Sequence, residues 1–473
     1  MRAMRVFTIL GRTKGILTMN RRNFVGQLSR GAALAGLFCG GNKVIGGQEP
    51  KETVPTPRGL SPLKITKVKA ILTAPAGIRL CVVKVETSEP GLYGLGCATF
   101  TQRIRTVATA VDQYLAPFLV GKDPDNIEDL WQAMYQSSYW RNGPVLMNGL
   151  SGVDAALWDI KGKRAGMPLY QLLGGKCRTG VPIYQHASGR TVEQVAEAAK
   201  RFMEEGTRFI RVQVGVAGNA GYGAGGGSPS SAGSNSTGDG HFAGDYFEPG
   251  PYRRSVPKMF AYLRKELGDE IELLHDAHER LPPIDAIGLC KELEPYRLFF
   301  LEDPFAPEDI GYFKQLRQQC ATPLAMGELF NNPNEWVDLI SGRLIDFIRC
   351  HLSQVGGISA ARKIAALCDF FRVRTAWHGP GDTSPVGHAA HVHLDLSTWN
   401  FGVQEGPNFN SALREVFPGT PEIRKGMMYC NEKPGLGIDI DERLAAKYPI
   451  RDNPPFDLQW GRLRGWDGTI RRP

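Results

Sequence analysis

IELLHDAHERL, residues 271–281, is a short apolar run that turns polar at Asp276 and His278. Two later runs repeat the pattern: LFFLEDP (298–304) reaches Glu302, and PLAMGELF (323–330) reaches Glu328. Asp276 to Glu302 and Glu302 to Glu328 are both 26 residues, room for one strand and one crossover helix. Five more short apolar runs extend the series: VPIYQHASG (181), FIRVQVG (209), DFIRCHL (346), VRTAWHG (373) and NFGVQE (400). Most are separated by segments of helical period, such as TVEQVAEAAKRFMEEG (191–206) and SAARKIAALCDFF (359–371). Eight strands alternating with helices predict an α/β fold, a (β/α)8 TIM-like barrel, over residues 177–410.

The flanking segments read differently. Over 64–176 two strand-like stretches, KITKVKAILTA and IRLCVVKVETSEPGLYGLGCATF, precede three helical ones, which predicts an N-terminal α+β capping domain. Residues 411–473 are expected to close back on that domain. The Gly-, Ser- and Ala-rich stretch 215–245 interrupts the barrel after its second strand. It reads as a flexible surface insert placed to act as a lid, and it lacks the G-K-[ST] of a phosphate loop.

With 42% hydrophobic and 22% charged residues, the composition excludes a membrane bundle and a wholly disordered chain. The net charge is +8, but Lys and Arg form no stripe interleaved with aromatics, so no nucleic-acid partner is expected. None of the nine cysteines forms a C-x-x-C pair, which points to reduced, mostly buried thiols. MNRRNFVGQLSRGAALAGLFCGG, from Met19, carries Arg21 and Arg22 ahead of Phe24 and a mildly apolar run. Residues 1–45 are therefore read as a twin-arginine-like export signal and 46–63 as a linker. The alternative is a cytoplasmic protein with a basic N-terminus. No membrane association is expected once the signal is removed, and a homo-oligomer is expected.

Three carboxylates, Asp276, Glu302 and Glu328, converge in this reading from adjacent strand ends. Anions so placed repel one another, and a divalent cation removes the conflict. All-oxygen ligands favour Mg2+. Residues two apart on a strand share a face, so His278 is expected beside Asp276 in the same cavity. His186, Arg211, His378 and Glu405 fall at or near other strand ends. A metal flanked by proton-transfer groups suits removal of a proton beside a carboxylate, with the cation stabilising the enediolate. HGPGDTSPVGHAAHVH, residues 378–393, could suggest zinc through His378, His388, His391 and His393. It lacks the H-E-x-x-H form, and the last three histidines are read as helix packing.

The motifs YWRNGPV, AALWDIKGKRAGMPLYQLLGG, LLHDAHERL, LFFLEDP, TPLAMGELFNN, WHGPGDTSPVGHA, NFGVQE and PGLGIDIDERLAAKYP occur in order over 64–473. Together they resemble the enolase superfamily and, within it, the mannonate dehydratase family that includes starvation-sensing proteins. The resemblance implies Mg2+ held by Asp276, Glu302 and Glu328. It implies His278 as the acid that assists departure of the C3 hydroxyl, and Arg211 partnering a tyrosine base, matched to Tyr222. His186, His378 and Glu405 would bind a sugar acid; His378 also counts among the catalytic groups, and Asp382 joins the binding residues. The Lys-x-Lys pair of the muconate relatives is replaced by Arg211-Val212-Gln213. Two departures concern substrate contact: Thr101 stands where the family tends to have asparagine, and the chain ends at Pro473 without a terminal tryptophan. The implied reaction is dehydration of a sugar acid of the D-mannonate or D-gluconate type to a 2-keto-3-deoxy acid. The alternatives are an acid-sugar epimerase or racemase, and a low-activity binding or sensing protein.

Overall fold

The structure, a computed structural model, describes residues 61–215, 247–451 and 463–472. The export signal, nearly all of the linker, the glycine-rich insert from 216 onward with Tyr222, and Pro473 lie outside the described residues. Strands β1 (Ile65–Thr73), β2 (Leu80–Thr87) and β3 (Tyr93–Cys97) form an antiparallel sheet in the order β1-β2-β3. The helix Pro144–Arg164 lies across β3. Gly94 and Gly96 make that approach possible: a Cβ on either would run into the backbone of Ala156 or Gly152.

Eight parallel strands follow: β4 (Val181–Gly189), β5 (Phe209–Val214), β6 (Glu272–Asp276), β7 (Phe300–Glu302), β8 (Leu324–Met326), β9 (Phe347–Ile348), β10 (Arg374–Thr375) and β11 (Gln404–Glu405). They pair in sequence order. The ring closes through β11 beside β4 and a bridge from Thr375 to Phe401. All eight fall in runs read as strands, and the barrel is confirmed. A final hairpin, β12 (Glu422–Arg424) and β13 (Met427–Tyr429), adds antiparallel to the start of β4.

Past the hairpin, the chain returns to the three-stranded sheet. Glu442 pairs with Lys69 and Lys84, and Tyr93 donates to Asp439 at 2.7 Å. The last described residues, 463–472, pack instead on barrel loops, where Phe247 N–H donates to Arg464 O at 2.8 Å and Arg472 pairs with Asp309 at 2.6 Å. Of the nine cysteines, Cys39 lies outside the described residues; the other eight are free thiols, six of them buried. Among the described residues no helix is long and apolar enough to cross a membrane.

Asp154 ties the capping helix Pro144–Arg164 to the barrel. Its carboxylate accepts from Ser359 N–H at 3.0 Å and from Ser359 Oγ at 2.5 Å, capping the helix Gly357–Phe371. Asp154→Ala leaves two buried donors unsatisfied. It is expected to cost about 1–3 kcal/mol, read as a lower denaturation midpoint. Burial pushes the Asp154 carboxyl up to about 7, against 3.8 for a free side chain. The folded state therefore holds this proton more tightly than the unfolded state, and the Asp154 contribution falls as pH rises from about 4 to about 7. Comparing denaturation midpoints of the native chain and Asp154→Asn across that range checks the sign.

Candidate active site

The polar layer of the barrel follows from the strand period. Tyr184, Phe209, Leu274, Phe300, Phe347, Ala376 and Val403, from seven of the eight strands or their continuations, pack together with Ala325 from β8 as an apolar layer inside the ring. Two residues further along each of the seven come His186, Arg211, Asp276, Glu302, Arg349, His378 and Glu405, which face the same interior one step higher. The strand register sets neighbours side by side: His186 with Arg211, and Asp276 with Glu302. β8 departs from the pattern. Two residues past Ala325 comes Gly327, whose φ of +134° turns the chain so that Glu328, beyond the strand end, supplies the carboxylate.

Two arginines organise these groups. Arg211 Nη1 lies 2.6 Å from Glu302 and 3.1 Å from Asp276. Its Nη2 lies 3.3 Å from His186 Nδ1, and His186 Nε2 is 3.0 Å from Glu405. Arg349 is fully buried. Its Nε lies 2.8 Å from Glu302, and its Nη1 lies 2.8 Å from Glu328 and 3.2 Å from Asp303. Its Nη2 reaches Glu405 at 3.0 Å and Tyr184 Oη at 3.1 Å. His278 Nε2 and His378 Nε2 stand 3.5 and 3.4 Å from Glu328.

Burial pushes Glu302 up to about 8; Arg349 and Arg211 oppose the rise, and Asp276 and Glu405 add to it. Asp303 is raised well above the usual range, first by burial and then by Glu328. Burial also acts against ionised Glu405, but Arg349, with His378 and His186, outweighs it and holds the carboxylate well below its ordinary range. Glu328 is lowered too, where His378, His278 and Arg349 overcome burial.

Most of the residues singled out from sequence share this cavity. His186, Arg211, Asp276, His278, Glu302, Glu328, His378 and Glu405 form one connected set, while Tyr222 lies outside the described residues. Asp382 is half-buried in the loop after β10, and burial raises its carboxyl. Two expectations need correcting. His278 does not share a strand face with Asp276: β6 ends at Asp276, and His278 sits in a left-handed turn with φ +50°, its N–H bonded to Asp276 Oδ1 at 2.7 Å. Nor are the three acids unpaired. Arg211 and Arg349 bridge them, and among the described residues no three His, Cys, Asp or Glu side chains enclose a point as a ready-made metal cage. The sequence reading missed Arg349, Asp303 and His351. His388, His391 and His393 pack in the buried helix Pro385–Ser397, where His393 accepts from Tyr170 N–H and bonds Leu436 O, both at 3.2 Å.

The donor set nonetheless fits a hard divalent cation. Five carboxylates, Asp276, Glu302, Asp303, Glu328 and Glu405, meet only two guanidinium groups in this layer. Burial raises the Glu302 carboxyl, and the neighbouring Asp276 and Glu405 carboxylates add to the rise. A cation with oxygen preference relieves it, and Asp276, Glu302 and Glu328 are the oxygens on neighbouring strand ends.

A capping sheet over a barrel whose rim carries acids from successive strands is, in class, an enolase-type lyase scaffold. Residues 56–174 match the mandelate racemase/muconate lactonizing enzyme N-terminal domain, and residues 194–444 match the enolase C-terminal domain-like family. The D-galactonate dehydratase family member RspA of Pantoea ananatis is 56% identical over 425 residues, 88% of this chain and 100% of that protein. A D-galactonate dehydratase family member of Enterocloster bolteae is 52% identical over 411 residues, 87% of this chain and 99% of that one. The crystal structure of an enolase from Pantoea ananatis with bound D-gluconate and Mg superposes with a TM-score of 0.81 at 55% identity, covering 87% of this chain and 100% of that chain. The chain belongs to the enolase superfamily and, within it, to the D-galactonate dehydratase family.

Proposed function

We propose that this protein is a Mg2+-dependent dehydratase of a six-carbon sugar acid of the D-gluconate or D-mannonate type. The observation that carries the reading is the joined set of Asp276, Glu302 and Glu328 with His278 and His378 against Glu328. Support for the substrate class comes from the D-gluconate and Mg in the Pantoea ananatis enolase structure. Asp276, Glu302 and Glu328 would hold the Mg2+, which when bound stabilises negative charge developing on the substrate carboxylate. His186, His378, Asp382 and Glu405 orient the sugar acid. Arg211, with Tyr222 as the base it assists, removes the C2 proton. His278 gives a proton to the C3 hydroxyl, which departs as water. The enol left across C2 and C3 then ketonises to the 2-keto-3-deoxy acid, so the substrate loses one water and nothing is oxidised.

Acid sugars incubated with enzyme and Mg2+ in deuterated water test the reading. Keto-deoxy product with D-gluconate or D-mannonate supports it. Deuterium at C2 without product means epimerisation, and binding with neither means a sensor. Glu302→Gln, which keeps shape and removes one charge, is expected to abolish Mg2+ binding and turnover with little change in folding, read by calorimetry and product assay. Activity that survives complete chelation would sink the metal role. We also propose export through the twin-arginine-like segment. Changing Arg21 and Arg22 to Lys should strand the protein in the cytoplasm, since a guanidinium fork is not replaced by an ammonium. Native protein found wholly in the cytosol with its N-terminus intact refutes export.

A further inference from the structure

Behind His378, away from the carboxylates, stands His351, a residue to which the mechanism above gives no part. It is 2% exposed, and its Nδ1 lies 2.6 Å from His378 Nδ1. The backbone fixes the pair: His351 and His378 bridge as parallel strand residues, and His378 N–H donates to Cys350 O at 3.1 Å. Across the His378 ring, Nε2 faces Glu328 at 3.4 Å and Glu405 at 3.8 Å.

Two nitrogens so close share one proton, and the surroundings decide which ring carries it. Burial holds His351 well below the usual histidine range, so it is neutral and has a single N–H. Its Nε2 is buried and has no hydrogen-bond partner among the described residues. If His378 were the donor, the His351 N–H would sit on that Nε2, a buried donor with no acceptor. The bare Nε2 lone pair of His378 would then face two carboxylates. If His351 Nδ1–H is the donor, both penalties vanish: only an acceptor is left unmatched, and His378 Nε2–H points at oxygens that accept it. We propose that His351 is a positioning residue that fixes His378 as the Nε2–H tautomer, so that His378 presents a hydrogen-bond donor, and not a base, to the cavity. That the donor meets a sugar acid rests on the function proposed above; the tautomer does not.

The test is a long-range 1H–15N correlation spectrum of the full chain labelled with 15N-histidine, with His378→Gln used to assign the His378 signals. The expected pattern has a protonated Nε2 and a pyridine-like Nδ1. His351→Phe keeps a ring but removes the donor, and the His378 pattern should shift toward the other tautomer or a mixture. His351→Asn places a carboxamide N–H near the lost Nδ1 and should restore the native pattern. In turnover, loss of an orienting partner should lower kcat about 10- to 100-fold for the Phe variant with little change in KM, and the Asn variant should recover most of it. A native spectrum with the proton on His378 Nδ1 overturns the proposal, as does a folded His351→Phe protein with an unchanged His378 pattern. Should the Phe variant fail to fold, the native spectrum alone decides. A chain that dehydrates no sugar acid yet shows the Nε2–H pattern refutes the function and leaves the tautomer standing.

Discussion

Arg349→Met is expected to destabilise the protein by about 3–5 kcal/mol. The guanidinium is fully buried and meets Glu302, Asp303, Glu328 and Glu405 through Nε, Nη1 and Nη2. Methionine fills much of the same space, so the effect is not a cavity. It is the cost of leaving carboxylates in a low-dielectric interior with one arginine, Arg211, in place of two. Arg349→Lys should recover little, because a single ammonium cannot reach four acids lying around a planar fork. The deficit should shrink as pH falls, since protonated acids no longer need the cation. Urea denaturation midpoints at pH 7 and pH 5 read both effects. An unchanged midpoint for Arg349→Met would mean that the acids are neutralised by some other means.

Arg349 also marks where the sequence was legible and where it was not. The eight strands could be read because each is a short apolar run, and the 26-residue interval exposed the acids at Asp276, Glu302 and Glu328. DFIRCHL was read as a strand, yet its arginine was passed over as one charge in an apolar run. The strand period carried the missing signal: Phe347 faces the barrel core, so Arg349 must face the polar layer above it. The same rule places Arg211 above Phe209 and Glu405 above Val403. It fails at β8 and β6, where the backbone leaves the extended region at Gly327 and His278. Periodicity carries no information past such a turn, so His278 and Glu328 reach the cavity by routes that alternation does not describe. The arginine bridges were illegible for another reason. Arg211 and Arg349 come from the second and sixth strands, and which acids they meet depends on closure of the ring, a property of all eight strands at once.

His278→Asn is the most informative change for the proposed chemistry. The imidazole stands 3.5 Å from Glu328, one of the three acids assigned to the metal, in a left-handed turn that asparagine also tolerates. Backbone strain at φ +50° therefore gives no reason for the variant to unfold, and the 2.7 Å bond to the Asp276 carboxylate uses the main-chain N–H of His278, which the variant keeps. General acid assistance is worth about 10²–10⁴-fold. Dehydration of a sugar acid should fall by an amount in that range, while deuterium exchange at C2, which needs the base and not the acid, should persist in part. A purely structural histidine predicts a different outcome, with both reactions and the denaturation midpoint falling together. Product formation and C2 exchange, followed in one sample by NMR in deuterated water, separate the two cases. A well-folded His278→Asn protein that dehydrates at the native rate would remove His278 from the mechanism and leave the C3 hydroxyl to depart without its help.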